Sequence, residues 1–202
     1  MRVRNGLRLS VASLGLCFAV ACVASEPGDA EMAAAPAHSF IPADFDPPTL
    51  VEAQGFKLVP LGPDVVEQDY AAYMSSIEHL QQTFSRSTGW PHAGLTLADS
   101  MVDMESEAAR FAARESFAYG VLTPDGQYEL GSVYVRPSPV AGYDAVVSLW
   151  VTKAQYDAGF DAVLYRWVRD WVAREWPFEK VAYPGRAIAW DEWDALAAEA
   201  GG

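Results

Sequence analysis

The chain predicts an α/β fold: an α+β mixed sheet flanked by helices, in the order strand, helix, helix, three strands, helix, strand, helix. Three observations carry this. Residues 143–172, YDAVVSLWVTKAQYDAGFDAVLYRWVRDWV, run from an apolar strand pattern through a turn with one glycine into an amphipathic helix. Two apolar runs flank Thr123-Pro124-Asp125-Gly126, which is a hairpin signal. A further short apolar run follows the long helix, and strand, helix, strand in that sequence makes a right-handed parallel crossover.

Taken in order, Gly55 to Leu61 is an apolar run stopped by Gly62-Pro63 and reads as a first strand. Asp64 can cap the helix after it, on which Val66, Tyr70, Tyr73, Ile77, Leu80 and Phe84 recur at helical spacing. Ser87-Thr88-Gly89-Trp90-Pro91 breaks that helix. A second helix starts near Thr96, with Leu97, Met101, Met104, Ala108 and Phe111 on one face. Strands follow at Phe117 to Leu122, Tyr128 to Arg136 and Asp144 to Val151. The long helix buries Tyr156, Phe160, Val163, Leu164, Trp167, Val168 and Trp171 and stops at Trp176-Pro177. Lys180 to Tyr183 forms the last strand, and a helix over Trp190 to Ala200 closes the domain.

The first residues read as a targeting segment. Arg2, Arg4 and Arg8 precede an uncharged apolar run, Leu9 to Val20, that ends on Ala19-Val20-Ala21-Cys22. A basic lead, a short apolar stretch and small residues at the end describe a secretory signal peptide over residues 1–21. Two cleavage readings stand. Ala-x-Ala suits an ordinary signal peptidase, which leaves a soluble exported protein. The same residues resemble a bacterial lipobox, which makes Cys22 a lipidation site and the protein an envelope lipoprotein held on the membrane. Cys22 is the single cysteine after the cleavage point. Residues 22–50 are rich in Ala, Pro and acids without apolar period, and read as a tether; residues 51–202 are then one domain.

Without the first 21 residues the chain loses three arginines and no acids, so its formal net charge moves from −13 to about −16. Phosphates would be repelled, which excludes nucleic acid as a partner. The partners expected are a small molecule or an envelope protein. Lys57, Lys153 and Lys180 are the only lysines, so any anion site has to rely on arginine. Arg136 and Arg186, both at strand ends, are the first candidates. His38, His79 and His92 lie far apart with no second ligand at metal spacing, so no metal is expected. Gly-x-Ser-x-Gly, Walker and Rossmann patterns do not occur. Asp144 and Glu129 are candidate bases, each expected as a solvated carboxylate at the sheet edge.

The element order, the pair around Pro124-Asp125-Gly126 and the strand-to-helix step at Val151 resemble the GNAT acetyltransferase superfamily over roughly residues 55 to 185. In that family a strand ending Leu-x-Val leads through a Gln/Arg-x-x-Gly-x-Gly/Ala loop into a helix, and loop amides with the helix N-terminus hold the pyrophosphate of acetyl-CoA. Here Leu149-Trp150-Val151 matches the strand end and Gly159 the central glycine of Tyr156-Asp157-Ala158-Gly159-Phe160-Asp161. Tyr156 stands where a basic or amide side chain is the rule, and Asp161 where Gly or Ala is; Lys153 is the one lysine beside the loop. The resemblance implies acetyl-CoA or another acyl-CoA as donor, bound at Leu149, Val151, Lys153 and Gly159. It also implies Tyr183 as the group that protonates the leaving thiolate. An N-acetyltransferase-like activity, acyl transfer to an amine, is one expectation. A non-catalytic module that keeps the fold and binds a ligand or partner is the other.

Overall fold

Six strands make one sheet whose spatial order is the order of the chain: β1 (Val51–Ala53), β2 (Phe56–Pro60), β3 (Phe117–Leu122), β4 (Glu129–Pro137), β5 (Ala145–Val151) and β6 (Val181–Ala182). The computed structural model describes residues 39–201. Neighbours from β1 to β5 are antiparallel, while β5 and β6 run parallel, as the crossover predicts. The β3–β4 turn is built as its residues dictate. Gly126 takes a φ of 77°, and the Asp125 carboxylate accepts from the Thr123 hydroxyl at 2.5 Å and the Gln127 N–H at 3.1 Å.

Helices cover both faces. On one lie α1 (Val66–Met74), α2 (Ile77–Thr83) and α3 (Leu97–Ala112). On the other, α4 (Lys153–Asp157) leads into α5 (Phe160–Glu175); α6 (Trp190–Ala200) follows β6 and packs through Trp193 with Val146 and Ala182, while its Asp194 meets Arg86 just after α2. The alternation of the strands sorts side chains between the two cores. Tyr119, Val133, Val147 and Leu149 meet Leu164, Val168 and Trp171 of α5. Ala118, Tyr134 and Trp150 face Leu61, Ala72, Tyr73 and Met104 on the α1–α3 side. Thr96 caps α3 in a capping box: its hydroxyl accepts the Asp99 N–H and the Asp99 carboxylate accepts the Thr96 N–H at 2.9 Å.

The structure corrects five readings. The first strand is a hairpin, β1 and β2 joined at Gly55, whose φ of 91° gives the tight return. The helix expected from Val66 to Phe84 is broken at Ser75-Ser76, where the Ser75 hydroxyl donates back to the Ala72 carbonyl at 2.6 Å and the buried Ser76 hydroxyl accepts the Lys153 N–H at 2.9 Å. The long helix is divided by Gly159, whose φ of 80° ends α4 and starts α5. Tyr156 and Val163, expected inside, are 48% and 45% exposed. Tyr156 belongs to α4, and Val163 sits about 100° round the helix from Leu164, outside the apolar stripe.

Last, the tether is shorter than expected. Ile41 is fully buried, Phe40 stacks on Phe117 and Phe178 at 5.9 and 5.2 Å, and Phe45 lies against Trp176 at 5.2 Å. Arg114 closes this segment onto the domain by donating to the carbonyls of Pro42 and Phe45 at 2.7 and 2.8 Å. The signal peptide, Cys22 and the tether up to residue 38 lie outside the described residues. Ile41→Ala should therefore lower unfolding stability by about 2–4 kcal/mol, as for a core aliphatic truncation. Urea denaturation checks this, since a true tether residue would give no change.

Candidate functional site

The sheet parts between β5 and β6. The two strands pair only at Ala145–Val181 and Val146–Ala182. β5 then runs on through Val147–Val151, while the chain after Ala182 turns away through Tyr183-Pro184-Gly185-Arg186. Gly185 is required there: its φ is 71°, and a Cβ would lie 2.5 Å from the Trp190 ring. The wedge holds a cavity of about 240 Å³ lined by Leu149, Trp150, Val151, Tyr156, Asp161 and Arg186, among others.

The N-terminus of α5 points its first turn at this wedge. Gly159 is the N-cap and has no side chain, and nothing lies within 4 Å of where its Cβ would be. Asp161, in that first turn, accepts two hydrogen bonds from the Arg186 guanidinium, at 2.5 and 2.7 Å. The pair is half-buried, and the bond to Asp161 is the main cause that holds Arg186 above its ordinary pKa.

Comparison with solved structures bears on the fold. A ribosomal-protein-S5-alanine acetyltransferase from Vibrio fischeri superposes with a TM-score of 0.51 at 12% identity, over 62% of this chain and 67% of that one. The fold is that of the GNAT acetyltransferases. A Vibrio cholerae chain described as a ribosomal-protein-serine acetyltransferase matches at 15% identity and a TM-score of 0.42, over 55% of this chain and 59% of its own length. A Bordetella pertussis chain described as a GNAT-family acetyltransferase matches at 16% identity and 0.41, over 60% of this chain and 72% of that one. No family model and no curated protein matches the sequence.

Set on the GNAT fold, the expected site residues divide. Leu149 and Val151 line the wedge, and Gly159 stands at the helix start beside it. Lys153 does not reach it. Its ammonium lies 2.6 Å from both Asp157 oxygens, more than half exposed, and borders a separate cavity with Ser76 and His79. Tyr183 follows directly on β6 and is buried with its ring against Tyr165 at 5.7 Å; burial pushes its hydroxyl up to about 12. Asp144 is a structural staple: one carboxylate oxygen accepts the N–H groups of Glu179 and Lys180, both at 2.8 Å, which fixes β6 beside β5.

The acyl-CoA fit can be tested on these residues. The β5 edge beyond Val146 has no strand beside it among the described residues, so its backbone groups can receive an extended arm that carries amides. The diphosphate end fits poorly. The helix start already has the Asp161 carboxylate in its first turn, and the nearest guanidinium is bound to that carboxylate.

Glu129 corrects another expectation. It is 6% exposed, not solvated, and it lies beneath α1. Its Oε1 accepts the Ser132 hydroxyl at 2.7 Å, and Gly120 makes room, since a Cβ there would stand 3.2 Å from Glu129 Oε2. Facing it is Asp69, 4% exposed, on the buried side of α1. The sequence carried a signal for this: Asp69 lies three residues after Val66 and four before Tyr73, on the apolar face. Burial foremost, with Asp103 and Glu107 nearby, raises Asp69 to about 7, although its hydrogen bond to Glu129 lowers it. Burial foremost, then the Asp69 charge, keeps Glu129 well above the ordinary carboxylate range. Both shifts are upward, so at least one of the two carboxyls keeps its proton at neutral pH.

That proton makes a prediction about stability. The folded chain retains it where the unfolded chain, with an ordinary aspartate at 3.8, gives it up. The stabilisation is therefore present at low pH and lost as pH rises through about 7. Thermal melts should show the chain less stable at about pH 8 than at about pH 5, by on the order of 2 kcal/mol from this pair. His79, held below its ordinary value first by burial, acts in the opposite sense. Asp69→Asn should reduce the loss, leaving the part that the burial of Glu129 causes and the His79 contribution, and a variant that melts with the wild-type pH profile would overturn the assignment.

Proposed function

We propose that the protein is an exported N-acetyltransferase-like acyltransferase. It takes the extended arm of an acyl-CoA-type donor along the free edge of β5 and passes the acyl group to an amine. The single observation that supports this best is the early parting of β5 from β6, which opens a cavity beside Leu149, Trp150 and Val151. Leu149 and Val151 would bind the arm and Gly159 would let it pass close to the helix start. Lys153, in this reading, serves the approach only, because it is paired with Asp157. Tyr183 is the proposed acid for the leaving thiolate on the resemblance: its hydroxyl stays protonated at neutral pH, but it is buried against Tyr165 and does not line the cavity, so it would have to be reached from the wedge.

The Asp161–Arg186 pair favours a second reading, a non-catalytic module that keeps the GNAT fold and binds a small molecule or an envelope protein in the cleft. It also bears on the first. A donor held by its arm gains little from a diphosphate set against Asp161. Calorimetry with acetyl-CoA and acetyl-pantetheine separates the readings. For acyl transfer, both ligands should bind with affinities within about threefold of each other, and Asp161→Asn should tighten acetyl-CoA about tenfold by freeing Arg186. Acetyl-CoA binding about 100-fold tighter than acetyl-pantetheine would overturn the arm-held mode. No binding of either would leave the non-catalytic module.

We also propose that the protein reaches the envelope through its first 21 residues and is lipidated at Cys22, on the residue pattern Ala19-Val20-Ala21-Cys22. Mass spectrometry of the mature N-terminus should find a diacylated Cys22, and Cys22→Ala should move the protein from the detergent phase to the aqueous phase. An unmodified N-terminal cysteine would show the ordinary signal-peptidase route.

A further inference from the structure

On the α1–α3 face of the sheet lies a second cavity, of about 200 Å³, enclosed by α1, α3, β4 and the loop around Trp90. One side is acidic, with Asp69, Asp103 and Glu107. The other is aromatic and contiguous: Tyr73 lies 5.4 Å from Trp90, Trp90 6.1 Å from Phe84, and Phe84 5.7 Å from Tyr134. Two arginines stand at this cavity, and both are drawn to one acid. Arg110 and Arg136 reach Glu107 Oε1 at 2.7 and 3.6 Å. Asp69 and Asp103 have no basic partner within 4 Å among the described residues. Asp69, 4% exposed, lines the cavity with no N–H donor on its carboxylate, and Glu107 Oε2 is buried without a hydrogen bond.

Such a lining selects its ligand by chemistry. The two arginines are both drawn to Glu107, so an anion would have to displace that pairing and would face Asp103 and Asp69, which have no basic partner within 4 Å among the described residues. Divalent metal ions call for a shell of oxygen ligands, and half of this wall is aromatic carbon. An organic ammonium satisfies both sides, because its charge meets the carboxylates and its methyl or methylene groups meet the ring faces. The wall already accepts a cation in this manner: the Arg136 guanidinium sits 4.5 Å over the Tyr134 ring. The volume is below that of drug-sized sites, which suits a small head group.

We propose that this cavity binds a small organic ammonium cation, held by Asp69 and Asp103 against the aromatic wall of Tyr73, Phe84, Trp90 and Tyr134. The site is distinct from the wedge between β5 and β6 and does not rest on acyl transfer. Trp150 stands between the two: it lines the wedge, its indole N–H is donated to the Tyr134 hydroxyl at 3.2 Å, and its ring lies 6.3 Å from Trp90. A quaternary ammonium cannot accept an acyl group, so it tests the site without the chemistry.

Binding also draws the proton from the Asp69–Glu129 pair. The charged and titratable groups that face Asp69 are Tyr73 on α1, Asp103, Glu107 and Arg110 on α3, and Glu129, Tyr134 and Arg136 on β4. A cation favours the ionised pair, so affinity should rise between about pH 6 and pH 8.

The experiment is titration of the full chain with tetramethylammonium chloride and with propylammonium chloride at constant ionic strength, followed by calorimetry and tryptophan fluorescence. tert-Butyl alcohol serves as the neutral probe. Saturable binding in the millimolar range is expected for both cations and not for the alcohol. Asp69→Asn, which removes a buried carboxyl and should fold, is expected to weaken binding at least about tenfold; Trp90→Leu should weaken it about fivefold. No saturation by about 100 mM, equal binding of the alcohol, or unchanged binding in Asp69→Asn would each overturn the proposal.

Discussion

The two-residue pairing of β5 with β6 is the constraint on which the cleft depends. Parallel strands joined by a helix would ordinarily continue side by side, with both faces covered. Here the pairing is fastened at one end, by the Asp144 carboxylate on the Glu179 and Lys180 amides and by the Asp144 N–H on the Lys180 carbonyl at 2.8 Å. At the other end it is forced open. Pro184 has no N–H to offer β5, and Gly185 turns the chain back against Trp190. The wedge follows from a staple below and a turn above, and α5, α6 and the Arg186 side chain are all placed by it.

The second constraint is the scarcity of free positive charge. The chain has 14 Lys and Arg against 27 Asp and Glu. Those arginines that stand near cavities are engaged: Arg186 with Asp161, Arg110 and Arg136 with Glu107, and Arg86 with Asp194 at 2.9 Å while it covers the Trp190 ring at 4.2 Å. An anionic ligand has to break one of these pairs before it is held. A cationic ligand meets carboxylates that have no such partner. The charge balance thus gives the two faces of the sheet different tastes, although one fold carries both.

What was legible in the sequence follows from range. The strands at 117–122, 129–137 and 145–151, the Thr96 cap, the stop at Trp176-Pro177 and the parallel sense of β6 are all set by local pattern, and all were readable within a residue or two. The breaks were not. The break after Met74 was missed: Ser75-Ser76 stands in the sequence, but the Lys153 amide that Ser76 receives lies 77 positions away. Ile41 and Phe40 lie in an Ala- and Pro-rich stretch, and only the tertiary partners Phe117 and Phe178 show why they are buried. The site was half legible. The strand end Leu149–Val151 and Gly159 were singled out by resemblance and lie at the wedge, whereas the Arg186–Asp161 bond joins two residues whose closeness only the turn at Gly185 creates.

The Asp69–Glu129 pair is harder to account for by stability alone. A buried carboxyl pair is a poor way to fasten a helix to a sheet, since apolar residues of the same volume would do so at lower desolvation cost. Yet two other positions are fitted to it: Gly120 gives up its side chain in mid-strand and Ser132 supplies a hydroxyl. The pair also stands between two openings. Glu129 borders a cavity of about 540 Å³ with Gln68, Tyr128, Thr152 and Gln155, and Asp69 borders the aromatic one on the other side of α1. That location is where an ionised carboxyl would cost least, because each member of the pair borders an opening and not closed apolar core.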